Sequence, residues 1–253
     1  MKTQKIALVT GGSRGLGKNM ALALAKKGND VIITYNSNQT EADEVVDAIQ
    51  TLGQKAAALQ LNVGEVKGFD AFADALTSTL TEKWNTSSFD FLINNAGIGI
   101  HAPFASTTEE QFDLLTNIHF KGVYFLTQKL LGTIADGGRI INVSTGLSRF
   151  SLPGYSAYAA MKGAIEVLTK YLAKELGSRG IAVNAVAPGA IETDFAGGVV
   201  RDNEQMNQGI AASTALGRVG LPDDIGGVVA FLCSEEGRWV NAQRLEVSGG
   251  MFI

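Results

Sequence analysis

Short apolar runs separated by longer stretches of helical period govern what this chain can become. The runs cover residues 6–10, 31–35, 56–61, 89–94, 139–144, 181–186 and 244–247. Between them, 16–28, 40–52, 66–80, 109–131, 156–176 and 223–232 repeat apolar residues at helical spacing. Gly28, Gly53 and Gly177 close three of these stretches, and Pro222 opens the last. Strands alternating with helices predict a parallel sheet, because each helix carries the chain back to the same end of the sheet. The runs are nearly all apolar rather than alternating, which predicts helices on both faces. The expected fold class is α/β, a doubly wound parallel sheet of about seven strands. No linker, repeat or low-complexity tract appears, so residues 1–253 read as a single domain. The two irregular stretches are 84–88 and 190–215. Asn85-Thr86-Ser87 in the first matches a glycosylation sequon and reads as a loop.

A chain of 253 residues can bury most of its apolar surface in one core. Hydrophobic residues make up 45% and charged residues 18%, which excludes intrinsic disorder. Lysines and arginines number 21 against 25 acids, so the basic surplus that displaces counterions from nucleic acid is missing. One cysteine, Cys233, rules out a disulfide framework and a multi-thiolate site, and two histidines, His101 and His119, argue against a histidine cage. No metal is expected. The apolar run 6–9 is too short for the core of a signal peptide. No run reaches the roughly 18 residues of a membrane span. The expected setting is the cytoplasm, with neither membrane nor nucleic acid as partner.

Thr10-Gly11-Gly12-Ser13-Arg14-Gly15-Leu16-Gly17 stands between the first run and the first helical stretch. Backbone N–H groups at a helix N-terminus bind phosphate, and glycines let a pyrophosphate come close. Alone, such an octet is an ordinary turn; between strand and helix it points to a dinucleotide. Tyr158 and Lys162 lie four residues apart, one turn along the same side of a helix. An ammonium beside a phenol favours the phenolate and lowers its pKa from about 10. A phenol so tuned gives a proton to a carbonyl oxygen as hydride arrives, and takes it back in reverse.

With Asn94-Asn95-Ala96-Gly97 after the fourth run and Pro188-Gly189 after the sixth, the sequence resembles the short-chain dehydrogenase/reductase family. The likeness is strongest to its 3-oxoacyl-carrier-protein reductase branch. It extends through Arg218-Val219-Gly220-Leu221-Pro222 to Ser248-Gly249-Gly250. The resemblance implies a Rossmann-type fold in one dinucleotide-binding and catalytic domain. Its implied cofactor residues are Gly11, Ser13, Arg14, Gly15, Leu16 and Gly17 in the first loop and Asn95, Ala96 and Gly97 after the fourth strand. Pro188, Gly189, Ile191 and Thr193 after the sixth strand join them, with Tyr158 and with Lys162 on the nicotinamide ribose. The family's tetramers, built on 109–131 and 156–176, imply a homotetramer; both stretches are apolar on more than one side.

NAD-specific sites place an acid after the second strand, on the ribose 2′-hydroxyl. Here that strand ends in Tyr35-Asn36-Ser37, and Arg14 is available to pair with a 2′-phosphate. NADP(H) is therefore the expected cofactor, with Asn36 and Ser37 as further donors. Asn62-Val63 stands where the family often has Asp-Val beside the adenine.

The family's catalytic hydroxyl lies thirteen residues before the tyrosine, which is Thr145 here, preceded by Ser144. A slip of one residue in the loop would hand the role to Ser144. The family's relay asparagine, which holds a water leading to the lysine, is matched to Asn117. His119, two residues on, falls on another helix face and reads as structural; His101 reads as a loop residue near the substrate mouth. Tyr155 also stands seven residues before Lys162, the spacing of the related enoyl reductases. Leu147, Phe150, Leu152, Tyr155, Phe195, Val199 and Val200 promise an apolar substrate wall, with 190–215 as a lid or plain core. A small-molecule ketone or an acyl thioester suits such a wall. The leading expectation is an NADPH-dependent carbonyl reductase using Tyr158. The alternatives are an enoyl-thioester reductase using Tyr155 and a dinucleotide sensor without turnover. For a carrier protein, Lys121, Lys129, Arg149 and Arg179 are scattered rather than clustered.

Overall fold

The computed structural model describes residues 4–253. Met1, Lys2 and Thr3, which begin the stretch weighed as a leader and the domain 1–253, lie outside the described residues. Among the described residues, the apolar runs become β1 (Ile6–Val9), β2 (Asp30–Tyr35), β3 (Ala56–Gln60), β4 (Phe89–Asn94), β5 (Ile134–Val143), β6 (Ala182–Pro188) and β7 (Arg244–Val247). They pair in parallel as one Rossmann-like sheet in the order β3-β2-β1-β4-β5-β6-β7. The helices are α1 (Gly15–Lys26), α2 (Gln39–Thr51), α3 (Phe69–Trp84), α4 (Glu109–Thr116), α5 (Gly122–Leu130), α6 (Ser156–Glu175), α7 (Val199–Asp202), α8 (Glu204–Ala212) and α9 (Asp223–Leu232).

Successive strand residues point to opposite faces, and both faces are buried. In β1, Ala7 and Val9 join Met20, Leu24, Val45, Ile49, Ile225 and Val229 beneath α1, α2 and α9. Ile6 and Leu8 join Phe69, Leu76, Leu80, Leu126, Leu130 and Ala173 beneath α3, α5 and α6. This two-sided burial is why the strands are apolar throughout. From β1 the chain winds outward to β3, then returns to β4 on the other side of β1. The loops at the carboxyl ends of β1 and β4 therefore part in opposite directions and open a crevice.

The structure differs from the periodicity reading in three places. β5 starts at Ile134 rather than 139 and shifts register between Phe89 and Phe91, where Gly137 (φ +76°) and Gly138 mimic a turn signal. The stretch 109–131 is not one α-helix: a π turn over Asn117–Lys121 separates α4 from α5. There Gly122 presses onto the Val63 carbonyl, and a Cβ on it would lie 2.1 Å from that oxygen. The stretch 190–215, read as irregular, contains α7 and α8. Gly197 and Gly198 (both φ +77°) hid them, as did Asn203, whose side chain caps α8 at the Met206 N–H (2.9 Å).

A polar seam ties the two central strands to the helices. Asn94 Nδ2 donates to Asn142 Oδ1 (2.9 Å) and to Thr127 Oγ1 (3.1 Å), and Asn142 Nδ2 donates to Thr169 Oγ1 (2.9 Å). All four residues are buried. Removing a shared partner strands the groups left behind without water. Asn142→Ala is expected to lower the unfolding free energy by about 3 kcal/mol in urea titration.

Candidate active site

The loop after β1 is clasped to the loop after β4. Thr10 Oγ1 accepts from the Asn95 and Ala96 N–H groups (2.9 and 3.0 Å), and Asn95 Nδ2 donates to the Thr10 carbonyl (2.9 Å). Gly11 and Gly15 adopt φ of +63° and +55°, which favours glycine. A Cβ on Gly17 would stand 2.0 Å from the Gly11 carbonyl, so this helix turn can touch the loop only without one. Arg14 sits at the α1 N-cap and caps no N–H with its side chain. The opening N–H groups of α1 therefore point into the crevice with the positive end of the helix dipole, a cradle that fits a pyrophosphate.

The crevice continues as one cleft of about 730 Å³. Every residue expected on the cofactor side lines it, from Gly11 to Thr193. Asn62 turns its Oδ1 onto the Gly64 N–H (3.0 Å). Arg14 is exposed and its ion pair with Asp194 is loose at 3.9 Å.

The other end of the cleft holds Tyr158 and Lys162, on one side of α6 and 7% and 4% exposed. Lys162 Nζ donates to the Val143 carbonyl at the end of β5 (2.7 Å). Burial draws the Lys162 ammonium down to about 8. Burial also holds the Tyr158 phenol well above its ordinary range, against the hydrogen bond from the Thr145 side chain that favours its ionisation. The phenol expected from spacing to be lowered is instead raised, with burial as the largest cause.

The two candidate hydroxyls separate. Thr145 meets Tyr158, whereas Ser144 Oγ donates to Glu166 Oε1 (2.6 Å) and is engaged away from the reacting end. Asn117, the first residue of the π turn, does not line the cleft, and His119, in the middle of that turn, does. His119 is buried, edge-on to Tyr158 with ring centroids 5.0 Å apart. His101 is exposed and edge-on to Tyr155 at 5.1 Å, beside a neighbouring groove. All seven expected wall residues line the main cleft, joined by Met206, Ile210 and Met251 from the stretches periodicity left unassigned.

An ionic frame behind Thr145 escaped the sequence reading. Arg244 Nε donates to Glu166 (2.7 Å) and its Nη2 to the Thr145 carbonyl (3.0 Å). Arg149 grips Glu246 through Nε and Nη2 (2.6 and 2.7 Å) and reaches the Met251 carbonyl (2.6 Å). The signal was the alternation Arg244-Leu245-Glu246-Val247 in a strand otherwise like its apolar neighbours. Lys129 and Arg179 are likewise paired, with Asp70 and Asp136. Among the described residues no group of three or more His, Cys, Asp or Glu could hold a metal ion, and no helix is long and apolar enough to cross a membrane.

A family model described as enoyl-(acyl carrier protein) reductase matches residues 11–252. A hydroxynaphthalene reductase-like protein of Metarhizium brunneum is 36% identical over 97% of this chain and 94% of its own length. The chain belongs to the short-chain dehydrogenase/reductase family. Solved members of the family superpose closely. The reductase LugOII, described as promiscuous and catalysing keto-reduction at C1 during lugdunomycin biosynthesis, gives a TM-score of 0.94 at 36% identity, covering 100% of both chains. The angucycline C-6 ketoreductase LanV, solved with bound NADP, gives 0.93 at 35% identity, over 98% of this chain and 95% of its own.

Arg244→Leu leaves the Glu166 carboxylate without its cation and the Thr145 carbonyl without its donor. Its expected cost is about 2 kcal/mol in denaturant titration, discounted for partial exposure of the pair. Arg244→Lys restores the charge but not the fork, and is expected to recover only part of that loss.

Proposed function

We propose that this protein is an NADPH-dependent carbonyl reductase acting on a ketone with a flat, apolar body. The observation that carries the reading is the buried trio at the end of β5. Tyr158 meets the Thr145 hydroxyl, and Lys162 stands one turn along the same helix. The β1 loop and the α1 N-terminus bind the pyrophosphate through backbone N–H groups. The loop after β2 takes a 2′-phosphate at Asn36 and Ser37 with Arg14 opposite, none of them a carboxylate, although Glu41 of α2 also lines the cleft. LanV, solved with NADP, supports the same choice.

When bound, the nicotinamide supplies the hydride to the carbonyl carbon. Thr145 hydrogen-bonds the carbonyl oxygen and holds it against Tyr158. Tyr158, kept protonated by burial, gives its proton to that oxygen as negative charge develops. Lys162 supplies the positive charge that stabilises the phenolate left behind. Phe150, Phe195 and Tyr155, with Met206 and Met251, enclose the substrate body, and Phe195 packs 5.8 Å from the Tyr158 ring. Aromatic walls suit fused rings better than a flexible acyl chain. The names of the hydroxynaphthalene reductase-like relative and the angucycline ketoreductase point the same way.

The enoyl reading keeps one support, the description of the matching family model. Tyr155 stands at the N-cap of α6, edge-on to His101, whereas the Thr145 side chain hydrogen-bonds Tyr158, which favours Tyr158. The chain is one domain over 1–253, and its setting is the cytoplasm. It assembles as a homotetramer, for which the exposed Phe112, Tyr124 and Phe125 on α4 and α5 and Val167 and Tyr171 on α6 supply apolar faces.

The test is NADPH oxidation with a hydroxynaphthoquinone-type ketone, a 3-oxoacyl thioester and an enoyl thioester. Ketone turnover is expected, lost by at least about 1000-fold in Tyr158→Phe and retained in Tyr155→Phe. Enoyl turnover dependent on Tyr155 would replace the reading, and NADPH binding without any turnover would favour a sensor. Arg14→Ala is expected to raise KM for NADPH about tenfold and leave KM for NADH unchanged.

A further inference from the structure

The substrate half of the cleft is closed by a contact that only a glycine permits. Gly99, in the loop after β4, faces Phe195 and Ala196 in the segment between β6 and α7. A Cβ on Gly99 would lie 2.8 Å from Phe195 Cε1, 3.0 Å from Phe195 Cζ and 2.9 Å from Ala196 Cβ. The φ of Gly99 is not positive, so glycine is used here for the room it leaves and not for its backbone freedom.

The two sides of this contact are held unequally. The loop side is fixed at several points. The Ile98 carbonyl oxygen lies 2.7 Å from His119 Nε2, and Gly97 packs on the same imidazole, where a Cβ would lie 2.6 Å from Cε1. The Ala102 N–H donates to the Gly154 carbonyl (2.9 Å), and Gly154, at φ +88°, leaves space for the His101 ring. The Phe195 side rests on longer bonds, from the Phe195 N–H to Thr193 Oγ1 and from the Gly197 N–H to the Asp194 carbonyl, both 3.2 Å. Ala196, Gly197 and Gly198 follow with φ of +52°, +77° and +77°. A methyl group added at Gly99 is therefore taken up on the Phe195 side. The end of the Phe195 ring can swing, but Ala196 Cβ moves only with its backbone. Inward movement is opposed by the Tyr158 ring, 5.8 Å away between centroids and tilted by 54°. Outward movement is open, since Phe195 is 42% exposed.

We propose that Gly99 is a specificity-determining residue: the room it leaves seats Phe195 over the reacting end and narrows the mouth to a slot that admits flat aromatic ketones and turns away thick, cage-shaped ones. The inference rests on the carbonyl-reductase reading. An aromatic ring beneath Phe195 gains a ring–ring contact that a saturated cage lacks. With Phe195 turned outward, both kinds of ketone meet an open mouth and the distinction is lost.

The test compares kcat/KM with NADPH for 2-tetralone, a flat fused-ring ketone, and 2-adamantanone, a saturated cage. The wild type is expected to favour 2-tetralone at least about thirtyfold. Gly99→Ala is expected to cut that ratio about tenfold, through KM for 2-tetralone rather than kcat. In a Phe195→Leu background the same change should alter the ratio less than about twofold, because the ring that Gly99 seats is gone. A folded Gly99→Ala with the wild-type ratio overturns the proposal, and so does an equal loss in the Phe195→Leu background. Carbon-13 spectra of phenylalanine-labelled protein, with Phe195→Leu assigning the ring, follow its seat without turnover. The Phe195 ring resonances are expected to shift in Gly99→Ala as the ring leaves Tyr158; unmoved resonances overturn the proposal. Should Gly99→Ala not fold, Phe195→Leu alone decides, and a wild-type ratio in that variant counts against the slot. No ketone turnover by the wild type would instead overturn the carbonyl-reductase reading, with the seat of Phe195 still read from the spectra.

Discussion

A lysine ammonium sealed inside the protein sets the terms for everything around it. An ion cannot leave water without compensation, and Lys162 is 4% exposed. Part of the compensation is the Val143 carbonyl at the last residue of β5. Burial then acts on two groups in opposite senses. It loosens the Lys162 proton to about 8 and tightens that of Tyr158. Near neutral pH the phenol is therefore protonated and the amine mostly charged. That is the state required for giving a proton to a carbonyl oxygen; desolvation favours the neutral phenol and works against the charged amine.

The position of Thr145 follows from a second set of charges. Thr145 leaves the sheet where regular backbone bonding ends, so something else must hold it. Arg244 does so from β7 while engaging Glu166 of α6, and Ser144 and Ser148 both donate to the same carboxylate oxygen at 2.6 Å. Strand, helix and loop thus meet at one half-buried carboxylate. Such a frame adds less to stability than its number of bonds suggests, because the charges were well solvated before folding. Its effect is geometric: it fixes where the Thr145 hydroxyl stands relative to Tyr158.

The sheet and the phosphate cradle were legible in the sequence because backbone rules determine them. Two-sided burial makes a strand apolar, and glycine is favoured by close approach at Gly11 and Gly17 and by positive φ at Gly11 and Gly15. The helix 109–131 shows where such reading stops. A π turn leaves no mark in a period of 3.6, and in this one it is His119 rather than Asn117 that lines the cleft. The choice between Ser144 and Thr145 was likewise open, since it depends on Glu166, 22 residues further along the chain from Ser144.

The two halves of the cleft differ in the same way. The cofactor half is built from backbone at the carboxyl ends of β1, β2 and β4, so its shape belongs to the fold. The substrate half is built from side chains on loops. Its floor is Tyr158, but its walls hang on Gly154 (φ +88°) and on Ala196, Gly197 and Gly198, all with positive φ. Ala196 at φ +52° is unusual for a residue with a Cβ, and it brings Phe195 against the Tyr158 ring. A wall held by local backbone conformation can change from one family member to another without disturbing the sheet. That separation lets the frame keep one cofactor cradle while the wall at Phe150, Tyr155, Phe195 and their neighbours is free to vary.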